Sequence, residues 1–207
     1  MNIPTKITVS RIVLIVLMLF GLFVLSFFPG LPVIYLGNTG INLVYFICFW
    51  IFVIAALTDK LDGYLARKWN QVTDLGKFLD PVADKLLVDS CLIFLTVPGF
   101  LGTTNIVIPF FCTIVMVLRD LVVDSLRFIA AGKGQVLAAN VFGKIKTACQ
   151  MVVIPLFFLN GWPFSLFDVS WGLGGISYIL MYIATLASLL SGIIYVYQNR
   201  KVFREDK

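Results

Sequence analysis

Four aspartates lie within a short stretch beside segments that read as membrane spans: Asp59, Asp62, Asp80 and Asp84. An ionised side chain is costly at such a depth and usually has a function there. Because helical residues three or four apart share a face, each pair is predicted to project from one side of its helix. Packed together, the four carboxylates need a compensating cation. Oxygen ligands favour hard ions, so the sequence predicts two divalent ions, Mg²⁺ or Mn²⁺.

Small residues and an arginine share these helix faces. Gly63, Ala66 and Gly76 have almost no side chain, which leaves room for a ligand to lie against the helix backbone. Arg67 can donate two parallel hydrogen bonds to a phosphate. The pattern predicts a site for a phosphorylated ligand beside the metal ions. The alternative, ordinary charges at solvated helix ends, agrees poorly with the apolar surroundings.

The composition is that of a membrane protein. Of the 207 residues, 60% are hydrophobic and 13% charged, and the mean hydropathy is +0.99. The absence of histidine excludes histidine bases and His-ligated zinc. We predict an all-α integral membrane protein of one domain, residues 1–207: a bundle of six transmembrane helices preceded by a short N-terminal interfacial segment. The spans are predicted at about 11–28, 41–56 (helical to 67), 76–97, 106–131, 140–158 and 175–197, with the interfacial segment at 1–10 and a cytoplasmic tail at 198–207.

The distribution of basic residues predicts the orientation. With six spans, all 16 Lys and Arg lie on one side of the membrane, and the loops on the other side carry none. Positively charged loops stay in the cytoplasm. The termini and the aspartate cluster are therefore predicted at the cytoplasmic face.

A group of basic residues on the same side is predicted to bind a phosphorylated acceptor: Arg119, Arg127 and Lys144. Arg119 lies within an apolar helix, where a guanidinium needs a partner. Two simpler explanations compete. Topology and attraction to anionic lipid, about 1 kcal/mol per residue, account for Lys133, and Asp124 lies three residues before Arg127, where it can pair with it.

The spacing D-x2-D-G-x2-A-R-x8-G-x3-D-x3-D, from Asp59 to Asp84, resembles the signature of the CDP-alcohol phosphotransferases. Three further elements are similar to the bacterial members that use glycerol 3-phosphate: N-I-P-T-x-I-T-x-x-R, R-[ED]-x-x-[IV]-x-x-x-R and G-K-x-K-T. The resemblance covers all but the last span and the tail. One departure is conservative, since Asp120 stands where Glu is expected.

The resemblance implies a metal-dependent phosphatidyltransferase that makes phosphatidylglycerophosphate and CMP from CDP-diacylglycerol and sn-glycerol 3-phosphate. It implies that Asp84 both touches metal and accepts the proton of the acceptor hydroxyl. It also implies a homodimer in the bacterial cytoplasmic membrane, in contact with membrane lipid and not with nucleic acid. The expected CDP-diacylglycerol contacts are Asp62, Gly63, Ala66, Arg67, Thr73 and Gly76.

Three other interpretations remain open at this point. A sister enzyme could use another acceptor, such as inositol phosphate, serine or phosphatidylglycerol. A carboxylate-coupled ion transporter would be favoured by broken hydrophobic segments and an inverted repeat, and the sequence displays neither. A scaffold whose charges only set the topology would tolerate Asp59→Asn.

Overall fold

The computed structural model describes residues 2–28, 32–37, 39–69, 73–100, 105–133, 141–166 and 175–200, with all their side chains except those of 65–67, 74, 77, 141 and 142. These ranges contain six α-helices and no strand longer than a single bridge, which confirms the all-α prediction. The helices are α1 (Ile3–Ser26), α2 (Leu43–Lys68), α3 (Asp74–Phe94), α4 (Phe110–Gly132), α5 (Val141–Phe158) and α6 (Ile176–Gln198).

The chain forms two compact units. The first comprises Met1–Val107 and Ile154–Leu166, and in it α1, α2 and α3 pack against one another. The second comprises Ile108–Val153 and Phe167–Lys207, and in it α4 packs against α6. Each unit contains one of the two groups of polar residues that the sequence singles out. That residues 1–207 form a single domain stays a prediction.

Helix α1 buries polar side chains in its first half and exposes large apolar side chains along its length. Thr8 and Arg11 are buried, whereas Leu17, Phe20 and Phe23 are each 59–61% exposed. A surface of large apolar side chains around a polar interior suits lipid and not water.

In the described part of the chain, three helices are long and apolar enough to cross a membrane: α1, the portion Leu43–Tyr64 of α2, and α6. The protein is therefore a membrane protein. Helices α3 and α4 carry charged residues along their length. That α3, α4 and α5 also span the membrane stays a prediction.

Prolines set the starts of two helices. Helix α1 begins at Ile3, within the segment predicted to be interfacial, because Pro4 is favoured in the first turn of a helix. Helix α4 begins at Phe110, and Pro109 is its N-cap residue; proline disfavours helical conformation in the residue before it. The predicted interfacial segment thus forms the first turns of α1, and its location at the membrane surface stays a prediction.

Candidate functional site

A threonine of α1 joins the aspartates of α2 and α3. Thr8 Oγ1 lies 3.1 Å from Asp62 Oδ2 and 3.0 Å from Asp80 Oδ1. A hydroxyl has one proton to donate, so the two carboxylates share a single donor. Thr8 faces inward because it lies on the buried stripe of α1, three residues from both Thr5 and Arg11. The first helix therefore contributes to the site that the sequence placed on the next two.

An arginine of α1 is the cation of this cluster. Arg11 Nη1 donates to Asp59 Oδ1, and Nη2 lies 3.8 Å from Asp62 Oδ2. The Arg11 side chain is 1% exposed and that of Asp62 3%, whereas that of Asp59 is 39% exposed. Arg11 Nε and Nη2 are buried with no hydrogen-bond partner among the described residues. The guanidinium thus offsets part of the negative charge of Asp59 and Asp62, and two of its nitrogens make no hydrogen bond to the described residues.

The start of α3 is set by a threonine cap. Thr73 Oγ1 accepts a hydrogen bond from Gly76 N at 3.0 Å and lies 2.9 Å from Thr5 Oγ1. Such a cap is worth about 1 kcal/mol. A Cβ on Gly76 would lie 3.1 Å from Thr73 Oγ1, closer than most real Cβ contacts. A glycine here lets the cap close, and the cap sets where Asp80 emerges along α3.

For the other predicted residues of this cluster, the structure gives the helix position but not every side-chain contact. Asp84 follows Asp80 by one helical turn on α3 and is half-buried, as is Gly63 on α2. Ala66 and Arg67 belong to α2, but their side chains lie outside the described residues. The structure thus brings Asp59, Asp62 and Asp80 to the two α1 residues. The nucleotide contacts stay predictions.

By donor type and charge, the cluster fits divalent metal ions. Its acidic side chains offer oxygen donors only, which hard cations prefer. Among the described side chains, the Arg11 guanidinium contacts Asp59 and Asp62, and a neutral hydroxyl donates to Asp80, so one cation faces three carboxylates in these contacts. In this arrangement no three His, Cys, Asp or Glu side chains of the described ranges converge on one ion position. Carboxylate oxygens that now contact Thr8 and Arg11 would have to turn towards an ion.

A second group of charges lies on α4, α5 and α6. Arg119 Nη1 donates to Asp120 Oδ1 at 3.0 Å, and Nη2 donates to Ser191 Oγ. Lys146 Nζ donates to the other carboxylate oxygen, Asp120 Oδ2. Asp120 and Lys146 are both buried. Arg119 therefore has the partner that its depth in the helix demanded.

The other two predicted acceptor residues are more accessible. Arg127 Nε donates to Tyr195 OH at 3.3 Å, and its guanidinium carbon lies 5.6 Å from the centre of that ring. Its Nη1 is 4.0 Å from Asp124 Oδ1, the pairing that the sequence offered as the simpler explanation. Lys144 is exposed. With these contacts the Arg127 side chain stays half-exposed.

Sequence reasoning missed several polar residues of both groups. Thr8 and Arg11 contact aspartates 48 to 72 residues away in the sequence. The signal was present in N-I-P-T-x-I-T-x-x-R, where polar residues three apart mark one helix face. Ser191 is one of several hydroxyl residues in α6, and nothing in the local sequence distinguished it from the others. Pairs so far apart cannot be recognised from a single sequence.

Most of the chain is similar to known enzymes. A family model described as CDP-alcohol phosphatidyltransferase matches residues 1–190. A Bacillus subtilis protein named CDP-diacylglycerol–glycerol-3-phosphate 3-phosphatidyltransferase is 37% identical over 198 residues, which are 96% of this chain and 95% of that protein. Relatives of the same name are 39% identical in Mycoplasma pneumoniae (82% of this chain, 74% of the relative) and 38% identical in Escherichia coli K12 (74% of each).

Proposed function

Because the chain belongs to the CDP-alcohol phosphatidyltransferase family, we propose that it transfers the phosphatidyl group of CDP-diacylglycerol to sn-glycerol 3-phosphate. The products are phosphatidylglycerophosphate and CMP, so the enzyme serves phospholipid biosynthesis. The observation that carries this assignment is the match to the Bacillus subtilis relative over nearly the full length of both chains.

The reaction exchanges one oxygen for another at the phosphorus that carries diacylglycerol. The acceptor hydroxyl oxygen bonds this phosphorus, the bond to the bridging pyrophosphate oxygen breaks, and CMP leaves with that oxygen. Such a transfer depends on positioning and charge neutralisation more than on a covalent nucleophile. Asp84 is the proposed base that takes the hydroxyl proton. Its support is its place one turn beyond Asp80 in a chain without histidine.

The proposed metal ligands are Asp59, Asp62, Asp80 and Asp84, holding two divalent ions, Mg²⁺ or Mn²⁺. When bound, such ions offset the charge of the pyrophosphate and of the leaving CMP. In the described contacts Arg11 faces both Asp59 and Asp62, and this gathering of carboxylates around one guanidinium supports the assignment. Thr8 orients the two carboxylates that it contacts, which keeps α2 and α3 in register at the site.

The proposed contacts of the CDP-diacylglycerol nucleotide are Asp62, Gly63, Ala66, Arg67, Thr73 and Gly76. Thr73 and Gly76 form the N-terminal cap of α3. Helix N-termini present backbone N–H groups and a positive dipole end to phosphate. This geometry supports a phosphate position at the start of α3, close in sequence to the proposed metal ligands.

Arg119, Arg127 and Lys144 are the proposed ligands of the glycerol 3-phosphate phosphate group. Arg119 contributes an oriented guanidinium on a side chain that is only 12% exposed, and partial burial strengthens its attraction for an anion. Lys144 is exposed and Arg127 half-exposed, so both can turn towards a soluble substrate.

We further propose that all six helices cross the bacterial cytoplasmic membrane, with both termini and the site on the cytoplasmic side. Helices α3, α4 and α5 have 21, 23 and 18 residues, within the range of about 17–25 that a bilayer requires. The one-sided distribution of Lys and Arg supports the orientation. A homodimer surrounded by membrane lipid completes the proposal.

The test is release of CMP from CDP-diacylglycerol by the purified protein with Mg²⁺ and one acceptor at a time. The acceptors are sn-glycerol 3-phosphate, inositol phosphate, serine and phosphatidylglycerol. Release with glycerol 3-phosphate alone is expected, and Asp59→Asn should abolish it. Release with another acceptor alone would move the protein to a sister activity. Full activity of Asp59→Asn would leave the aspartates as topology signals.

A further inference from the structure

The guanidinium of Arg119 lies in a cradle made by α4 and α6. Ser191 accepts from Nη2, and Asp120 accepts from Nη1. A Cβ on Gly192 would lie 2.7 Å from Arg119 Cγ, a distance that real Cβ contacts essentially never show. The alkyl part of Arg119 therefore lies directly against the backbone of α6, at a point where only glycine leaves room.

This cradle holds more positive than negative charge. Asp120 is shared by Arg119 and Lys146, each on its own carboxylate oxygen, so two cations meet one anion. Arg119 Nε is buried and has no hydrogen-bond partner among the described residues. A guanidinium has five N–H donors, and the contacts above occupy only two of its nitrogens. The arrangement fixes Arg119 and still leaves it donors for an anion.

We infer that Ser191 and Gly192 are positioning residues for the acceptor phosphate, which they affect by fixing the guanidinium of Arg119. The inference rests on the acceptor-binding role proposed above for Arg119. Both residues lie just beyond the family match, which ends at residue 190. Asp120, which Lys146 holds by its other carboxylate oxygen, accepts from the second Nη of Arg119.

The geometry assigns the two residues different tasks. The Ser191 hydroxyl sets the rotation of the guanidinium by occupying one of its nitrogens. Gly192 sets the depth of the side chain, because any larger residue displaces the Arg119 alkyl chain. A phosphate ligand depends on both, since a charge-assisted hydrogen bond weakens when its donor is displaced or rotated.

The test compares two variants with two matched controls. Ser191→Ala removes the hydroxyl, and Ser188→Ala removes another buried hydroxyl of α6, one that has no hydrogen-bond partner in the described residues. Gly192→Ala adds a methyl group against Arg119. Gly132→Ala adds one at a glycine with no atom within 4 Å of the new Cβ.

Steady-state kinetics with the full-length protein in detergent measure KM for glycerol 3-phosphate at saturating CDP-diacylglycerol. KM for CDP-diacylglycerol is then measured at saturating glycerol 3-phosphate. Ser191→Ala should raise the glycerol 3-phosphate KM about three- to tenfold, the effect of losing one hydrogen bond. Gly192→Ala should raise the glycerol 3-phosphate KM about tenfold or more, because the displaced guanidinium loses its hydrogen-bond geometry to the phosphate. KM for CDP-diacylglycerol should not change, and both controls should match wild type.

A double-mutant cycle separates positioning from general structural support. In an Arg119→Gln background, Ser191→Ala should have no further effect on the glycerol 3-phosphate KM, because the group it orients is gone. If Arg119→Gln itself leaves this KM unchanged, the acceptor site proposed above is wrong.

If Arg119→Gln raises KM and Ser191→Ala behaves like Ser188→Ala, the acceptor site stands and the inference about α6 is overturned. Additive effects in the cycle would overturn it as well. Should Gly192→Ala not yield folded protein, Ser191→Ala, which removes a single oxygen atom, decides the question.

Discussion

Arg11 is the residue whose removal should most clearly expose the electrostatics of the aspartate cluster. Arg11→Met keeps a long apolar side chain and removes the charge that faces Asp59 and Asp62. Breaking a fully buried ion pair by removing one partner costs about 3–5 kcal/mol, because a charge stays buried without compensation. Asp62 is buried but Asp59 is 39% exposed and regains water, so the lower end applies, about 3 kcal/mol.

The measurement is the apparent melting temperature of the purified protein in detergent with excess chelator. For a chain of this size, about 3 kcal/mol corresponds to a decrease of roughly 6–12 °C. Lys6→Met is the matched control, since it removes an exposed charge from the same helix and should change the melting temperature by about 1 °C or less.

A second substitution identifies the cause of the loss. Asp62→Asn in the Arg11→Met background removes the uncompensated buried charge, so it should recover most of the melting temperature. If Arg11→Met has the same melting temperature as Lys6→Met, the charge of the carboxylates is compensated by something other than Arg11. The stabilising role of this ion pair is then refuted. If Asp62→Asn fails to recover stability, packing of the arginine stem and not its charge explains the loss.

Three further predictions concern activity. Asp84→Asn should abolish CMP release, because it removes the proposed base, and should leave CDP-diacylglycerol binding intact, because it lowers the negative charge near the nucleotide. Wild-type turnover by this variant would remove Asp84 from the mechanism. Excess chelator should stop the reaction and Mg²⁺ or Mn²⁺ should restore it, because clustered carboxylates that lack bound cations repel a pyrophosphate. Full activity in chelator would show that the aspartates serve another purpose. Gly63→Leu should weaken CDP-diacylglycerol binding and spare the glycerol 3-phosphate KM, because the branched side chain fills the space proposed for the nucleotide; unchanged binding would place the nucleotide elsewhere.

Helical periodicity predicted which aspartates share a helix face. The i, i+3 and i, i+4 spacings predicted that α2 and α3 would present their carboxylates towards each other. The structure has Asp62 and Asp80 on the same threonine hydroxyl. Local spacing suffices here because each pair lies within two turns of one helix.

The residues that complete each group could not be predicted in the same way. Thr8 and Arg11 are ordinary near the start of an apolar helix until α2 and α3 pack against it. Ser191 and Gly192 likewise have no local pattern that distinguishes them from other small residues of a membrane helix. Their roles depend on which neighbour faces them, which is a property of the packed chain and not of the segment.

Boundaries were predictable only to within a few residues. The third helix was expected from Gly76 to about Val97, and it spans Asp74–Phe94. Its start depends on the Thr73 hydroxyl, which reaches Gly76 N and Thr5 at once. The Thr5 contact comes from a distant segment, so the capping geometry was not visible in the local sequence.

The burial of Arg11 has a consequence for how the protein is made. Synthesis proceeds from the N-terminus, so α1 is complete before Asp59 exists, and its arginine has no carboxylate partner for the next 48 residues. A lone arginine costs about 2.5–3.5 kcal/mol at the centre of a membrane helix and less near its end, where Arg11 lies. The mean hydropathy of 2.6 for α1 lets the helix enter the bilayer despite that cost. Insertion of α1 and its docking are therefore separate events: the first needs only apolar side chains, and the second must await the carboxylates of α2 and α3.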